Sequence, residues 1–130
     1  MSNVTVVGGS LDDQVMNLLN ASEAIVRAAS KEAAKKTAND VAKLLKRTSP
    51  KRKGNYAKGW KVTYQDGAYI VHNSKLPGYT QLLEKGHDVV VGGQKVGSAP
   101  AQPHIKPAEE AGIAEFAFLA EEYIERRLNQ

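Results

Sequence analysis

The stretch that decides the fold is residues 11–48, LDDQVMNLLNASEAIVRAASKEAAKKTANDVAKLLKRT. Its apolar positions recur every three or four residues, which is the spacing of one face of an α-helix. Ser10 suits the N-cap, Asp12 and Asp13 suit the positive end of the helix dipole, and Pro50 ends the pattern. The predicted stripe contains Leu11, Val15, Leu18, Ser22, Ile25, Ala29, Ala33, Thr37, Val41 and Leu44, widened by Leu19, Val26 and Leu45.

The length of this predicted helix has a consequence for the whole chain. Roughly 38 residues span about 57 Å, whereas a compact domain of 130 residues has a diameter of only about 36 Å. Either the helix bends in its weakly apolar middle, at residues 28–30 or 37–39, or its overhang packs against another molecule. We therefore expect a single domain, residues 1–130, that needs partner subunits.

The composition narrows the class of protein. There is no cysteine, which excludes disulfides and thiolate metal sites and suits a reducing compartment. The first ten residues have no signal-peptide pattern, and no stretch approaches a membrane span of ~20 apolar residues. We expect no contact with membranes and a cytoplasmic origin.

Charge is concentrated in one segment, residues 43–61, which we call the basic elbow. Since 8 of the 18 basic residues lie there without an acid, the other 10 face all 14 acidic residues, so the rest of the chain is net −4. The elbow predicts an interaction surface for nucleic acid, or for an acidic protein surface such as a neighbouring subunit's final helix. Alternatively, it is a solvated helix end with Tyr56 and Trp60 turned into the core. Its cations are Lys43, Lys46, Arg47, Lys51, Arg52, Lys53, Lys58 and Lys61.

The remaining elements are shorter. Residues 4–7 read as a strand closed by glycines, and Asp66-Gly67 predicts a hairpin that pairs Tyr64 with Tyr69 and Val62 with Val71. Residues 79–85 predict a short helix ended by Gly86. Residues 89–96 form either a second hairpin or a flexible loop, and we expect mobile loops near 48–57 and 88–99.

The C-terminal third combines prolines with a final helix. Residues 100–107 are predicted to run extended, and Pro107 suits the first turn of the helix that follows. Six glutamates lie between Glu109 and Glu125. The apolar face of this helix is predicted to contain Ile113, Phe116, Ala117, Ala120, Tyr123, Ile124 and Leu128.

The sequence offers little catalytic chemistry. His72, His87 and His104 have no metal-ligand spacing, so we interpret them as surface or hydrogen-bonded histidines. Glu84, His87 and Asp88 form one short cluster, which is a weak hypothesis for an acid–base or metal site. The glycines at 92–97 lack the rest of a phosphate-loop motif. We predict no catalytic residue, no metal site and no cofactor.

Three ordered motifs resemble one family, the tail-completion or head–tail joining proteins of long-tailed bacteriophages, also called minor tail components. Residues 48–60, TSPKRKGNYAKGW, are similar to the family's Ala-Pro-x-x-Thr-Gly-x-Leu elbow. Residues 79–87, YTQLLEKGH, resemble Tyr-Ala-x-x-Val-Glu-Phe-Gly-Thr, and residues 100–108, PAQPHIKPA, resemble Pro-Ala-Arg-Pro-Phe-Leu-x-Pro-Ala. The motif positions are Gly54, Tyr56, Trp60, Tyr79, Leu83, Glu84, Gly86, Pro100, Pro103, Ile105 and Pro107.

The resemblance implies an α+β fold, with the long helix and the C-terminal helix packed on a small antiparallel sheet. It also implies a structural, non-enzymatic protein of the virion, located in the neck or tail. Its expected partners are copies of itself in a ring, the head connector, and tail-tube or terminator proteins, with DNA passing through the lumen. The alternative function is a small basic nucleic-acid-binding protein that uses the elbow.

Overall fold

A computed structural model describes residues 5–6, 9–51 and 54–130, with side chains described from residue 11 onward. The long helix is present over Leu11–Thr48 and is not broken in its middle. It ends before Pro50, where the Ser49 N–H donates to the Leu45 carbonyl oxygen at 2.9 Å. The elements are β1 (Thr5–Val6), β2 (Gly9–Ser10), α1 (Leu11–Thr48), α2 (Asn55–Lys58), β3 (Trp60–Gln65), β4 (Ala68–Asn73), α3 (Tyr79–Lys85), β5 (His87–Val91), β6 (Gln94–Ala99) and α4 (Ile105–Leu128).

The two long helices pack antiparallel and form the main body of the fold. Near the start of α4, a Cβ placed on Gly112 would lie 2.9 Å from Val41 Cγ2, so the backbones approach closely there. Near its end, Arg127 forms an ion pair with Glu32 at 2.8 Å. Small buried residues on α1, Ala29 and Ala33, allow this approach along the helix.

Only part of the predicted apolar face of α4 is covered: Ala120, Tyr123 and Ile124 are half-buried. Ile113 is 64% exposed and Leu128 is 57% exposed, whereas Ala108 and Gly112 are buried. The helix turns its small residues inward because a glycine and an alanine let two backbones come closer than Ile113 or Phe116 would. Apolar side chains are therefore left on the outside of the domain.

The β3–β4 hairpin has the predicted register. Tyr64 is paired with Tyr69 and Val62 with Val71, and Asp66 and Gly67 have φ of 52° and 82°, as a type I′ turn requires. The two tyrosine rings lie 4.7 Å apart between centroids. The ammonium group of Lys31 lies 4.8 Å from the centroid of the Tyr64 ring, which ties the hairpin to α1.

The other strands differ in detail from the prediction. Residues 87–99 form a second hairpin, β5–β6, rather than a loop, and its valines are exposed. The described strands form three separate two-stranded sheets instead of one. Of the predicted first strand, residues 5–6 are confirmed and the rest lies outside the described residues; Ser10 lies in β2, directly before α1.

Two segments expected to lack helix contain some. Asn55–Lys58 forms α2 inside the predicted loop, because Tyr56 and Ala57 are buried against the core. The final helix begins at Ile105, so the last three residues of the predicted extended segment are helical and Pro107 is the third residue of α4. Within the described part of the chain, no helix combines the length and hydropathy needed to cross a bilayer.

Candidate functional site

The second and third motifs meet where α3 contacts the start of α4, at a contact we call the motif junction. Glu84 Oε1 accepts the backbone N–H groups of His104 and Ile105 at 2.8 and 2.9 Å, and Glu84 Oε2 accepts that of Lys106 at 3.1 Å. The first N–H groups of a helix have no partner within it. Glu84 therefore caps α4 from a different helix.

The protonation of Glu84 reflects this role. Burial by itself raises the pKa of a carboxyl group, but the three backbone donors outweigh burial and hold the pKa of Glu84 below its ordinary value. Both carboxylate oxygens are occupied by the helix start. Glu84 is thus a structural anion and is not available as a general base or a metal ligand.

His104, which stands where the family pattern has Phe, is buried at the centre of the motif junction with 2% of its surface exposed. Its Nδ1 lies 2.9 Å from the Gln102 carbonyl oxygen and 3.1 Å from Glu84 Oε1. Since both neighbours are acceptors, Nδ1 carries a proton. In the neutral ring, Nε2 then accepts a hydrogen bond from the Tyr56 hydroxyl at 2.7 Å. This bond links the first motif to the other two.

Trp60 and Tyr56 belong to the same packed unit. The Tyr56 ring meets the Trp60 and His104 rings edge to face, each at 5.5 Å between centroids. The Trp60 Nε1–H donates to Ser49 Oγ at 2.8 Å. Both aromatic rings are buried, so the alternative in which they turn inward is the observed one.

Asn73 and Gly86 hold the loops around this unit. The Asn73 side-chain N–H donates to the Tyr56 carbonyl oxygen at 2.6 Å, and a Cβ on Gly59 would lie 2.5 Å from Asn73 Oδ1. Gly86 has φ of 76°, and a Cβ there would lie 2.7 Å from the Ala99 carbonyl oxygen. These contacts show that the motif residues stabilise the fold, and that their polar atoms are used in hydrogen bonds within the chain.

The Glu84, His87 and Asp88 cluster does not assemble. His87 and Asp88 lie in β5 and are exposed, and Asp88 pairs with Lys95 at 3.2 Å. In the described residues there is no group of three or more histidine or acidic side chains placed to hold a metal ion. We therefore abandon this cluster as a site.

The basic elbow surrounds a shallow groove between the last turns of α1 and strand β3, which we call the lysine groove. Its volume is about 480 Å³. Lys58 lies at the end of α2 and Lys51 is exposed after α1, while Arg52 and Lys53 lie outside the described residues. The lysine groove is lined by Asn39, Ala42, Lys43, Lys46, Trp60, Lys61 and Val62.

A carboxyl pair between α1 and α4 was not anticipated from the sequence. Burial, followed by hydrogen bonding to Asp40 and the charge of Asp40, raises the pKa of Glu115 to about 7. Lys36 binds Asp40 at 2.5 Å and stabilises its ionised form. Glu115 lies three residues after Gly112, on the side of α4 that faces α1, and a position of this kind has no signature in the sequence.

The N-terminal half of α1 presents an uncovered apolar face. No side chain from Leu11 to Ala28 is buried, a length of about 27 Å. Leu18 is 68% exposed, although it continues the face that Ala29, Ala33 and Thr37 bury against the rest of the domain. The exposed apolar side chains of this half are Leu11, Val15, Met16, Leu18, Leu19 and Val26.

Comparison with protein-family models gives one finding that decides the class. Residues 12–93 match the model HK97-gp10_like, described as "Bacteriophage HK97-gp10, putative tail-component". The chain belongs to the HK97-gp10-like family. The match covers nearly all of α1 and the first two of the three motifs, residues 48–60 and 79–87, and it confirms the resemblance to phage tail proteins. No curated protein and no solved structure matches the chain.

Membership of the HK97-gp10-like family assigns a structural role in a bacteriophage. The matched range ends before the proline segment and α4. Those residues nevertheless bond directly to the matched part, because the Gln102 N–H donates to the Leu83 carbonyl oxygen at 2.7 Å. The HK97-gp10-like range and the C-terminal helix therefore form one folded unit.

Proposed function

We propose that this chain is a subunit of the neck or tail-completion ring that joins the phage head, through its connector, to the tail. The observation that carries the proposal is the uncovered apolar face of α1 in a member of a tail-component family. Exposed apolar patches of this extent mark protein–protein contacts. In the ring, copies of the chain and the connector or tail-tube proteins cover this face, and DNA passes through the lumen.

Deleting the gene from the phage tests this proposal. We expect full heads and finished tails that remain separate in electron micrographs, and recovery of joined particles when the chain is supplied from a plasmid. Joined, infectious particles without the chain would disprove the proposal. Absent or misshapen tails would instead assign the chain to tail building rather than joining.

Complementation with point variants tests the apolar face itself. Leu18→Glu places a charge in the exposed stripe, whereas Asn17→Glu places the same charge on an exposed neighbouring position off the stripe. We expect the first variant to fail in complementation and the second to succeed, with both purified chains folded. Equal activity of the two variants would remove the apolar face from the mechanism.

The second candidate function is nucleic-acid binding by the basic elbow. Lys43, Lys46 and Lys61 are exposed and line one groove, which favours contact with a polyanion. However, Tyr56 and Trp60 are buried and provide no surface on which bases stack. This function predicts a DNA affinity that falls steeply with salt; an affinity that is absent or independent of salt contradicts it.

A further inference from the structure

The lysine groove combines charge with a small apolar surface. Lys43, Lys46 and Lys61 share its lining with half-buried Val62, whereas Ala42 and Trp60 are buried and expose little. None of these lysines forms an ion pair with any residue that the structure describes. A ligand that suits the groove therefore has carboxylates or phosphates for the lysines and an apolar group that contacts Val62.

The outer face of α4 has this composition. Phe118 is 68% exposed, and Ala114, Glu121 and Glu125 share its face because they lie three, four or seven residues away. Glu121 and Glu125 form no ion pair within the described chain. The face is thus an exposed aromatic ring beside two carboxylates that lack a cation.

The two surfaces cannot meet within one molecule. Gly112 and Arg127 place one side of α4 against α1, so Phe118 and Glu121, on the opposite side, point away from the helix that lines the lysine groove. Joining them requires a second copy. Because the surfaces differ, the contact leaves a free groove at one end and a free α4 at the other, and repetition gives a ring or a filament.

We propose that the lysine groove binds the outer face of α4 from a second copy of this chain, with Phe118 against Val62 and Glu121 and Glu125 beside the lysines. This deepens the proposed function, since it names the contact between neighbouring ring subunits. Nucleic acid fits the groove less well, because phosphates would engage the lysines but the buried rings of Tyr56 and Trp60 give the bases no surface on which to stack.

Charge exchange on the purified chain tests the contact. Lys43→Glu with Lys46→Glu, and separately Glu121→Lys with Glu125→Lys, should each weaken self-association in sedimentation velocity by about tenfold or more. Mixing the two variants should restore association, since the reversed charges again oppose each other. Lys35→Glu, an exposed lysine outside the groove, should associate like the wild type.

Site-specific cross-linking gives a second readout. The chain has no cysteine, so a chain carrying Lys46→Cys and Glu121→Cys together should form a ladder of disulfide-linked oligomers. Each single-cysteine chain should stop at the dimer. Monomers and dimers alone from the double variant, with charge mixing also ineffective, would overturn the proposal.

A DNA-binding measurement distinguishes nucleic acid from a second copy of the chain as the ligand of the lysine groove. If the Lys43→Glu, Lys46→Glu chain associates normally but loses DNA binding in fluorescence anisotropy, the groove is a nucleic-acid site and the proposal is wrong. Phe118→Ala should weaken self-association and leave DNA binding unchanged. Failure of the subunit contact while gene deletion still yields separate heads and tails would refute this interface but keep the joining function.

Discussion

Gly112 of α4 lies against Val41 of α1 at a distance that leaves no room for a side chain, since a Cβ there would be 2.9 Å from Val41 Cγ2. Glycine inside a helix costs roughly 0.5–1 kcal/mol relative to alanine. The close approach of the two helices offsets this cost. The contact therefore fixes where α4 crosses the C-terminal half of α1.

Enlarging Gly112 should separate the helices. Gly112→Leu is expected to destabilise the fold by roughly 1–3 kcal/mol through overpacking, measured as the free energy of unfolding in urea. Ala114→Leu is the control, because Ala114 is exposed on the same helix. If Gly112→Leu is as stable as that control, the helices do not meet closely at this point.

Removing the inter-helix cap should also destabilise the fold. Glu84→Ala leaves three N–H groups at the start of α4, two partly buried and one exposed, without their acceptor, and a cost of about 1–2 kcal/mol is expected. Glu84→Gln keeps one acceptor oxygen and should lose less. Glu125→Ala, on the exposed face of α4, should be close to neutral, and an equal loss in all three variants would contradict the capping role.

The same carboxylate gives a pH dependence in acid. Because the folded-state pKa of Glu84 lies below its ordinary value of 4.5, its contribution is fully present above pH 4.5 and is lost as pH falls through the folded-state pKa. Thermal unfolding followed by circular dichroism should show a stability difference between wild type and Glu84→Gln that shrinks below pH 4.5. A constant difference would exclude ionisation as its source.

The contribution of Glu115 to stability should have the opposite pH dependence. Its pKa rises from 4.5 to about 7 in the folded chain, so its contribution is fully present below pH 4.5 and is lost as pH rises to about 7. Above that pH, ionised Glu115 repels ionised Asp40. Glu115→Gln keeps a neutral donor for Asp40, and its unfolding temperature should change less than that of the wild type between pH 5 and 8.

A substitution at Thr37 should increase the stability of the fold. Its hydroxyl oxygen is buried between α1 and α4 and has no hydrogen-bond partner among the described residues. Thr37→Val has a similar shape and removes the unpaired polar group, so a gain of about 1 kcal/mol is expected. Thr48→Val is the contrasting case, because the exposed Thr48 hydroxyl already donates to the Leu44 carbonyl oxygen at 3.0 Å. A loss of stability in Thr37→Val would show that its hydroxyl has a partner.

Local patterns predicted the elements well because they depend on neighbouring residues. The spacing of apolar residues gave the limits of α1, and Asp66-Gly67 gave the hairpin register, since a two-residue turn permits only one pairing. The same reasoning was only partly right about which face of α4 is covered. Its inward face follows from Gly112 and Ala108, and small residues carry no hydrophobic signal.

The basic elbow illustrates a second limit. The sequence showed that its cations are close together, but it left open whether Tyr56 and Trp60 are exposed beside them. In the structure both rings are buried, while the described lysines of the elbow are exposed. The sequence also showed the motif positions, but not the contacts that these residues make. Glu84 lies 20 residues before His104, and contacts over such separations depend on how the chain folds back.

By itself, the sequence determined the long helix, the α+β class, the absence of thiol chemistry and the phage family, because each depends on composition or on the order of local motifs. Only the tertiary structure decided which face of α4 is covered, that Glu84 caps α4 and that Glu115 faces Asp40. It also decided that α1 is unbroken and leaves its N-terminal half uncovered. These outcomes depend on the close packing of small residues between two helices, which no local periodicity records.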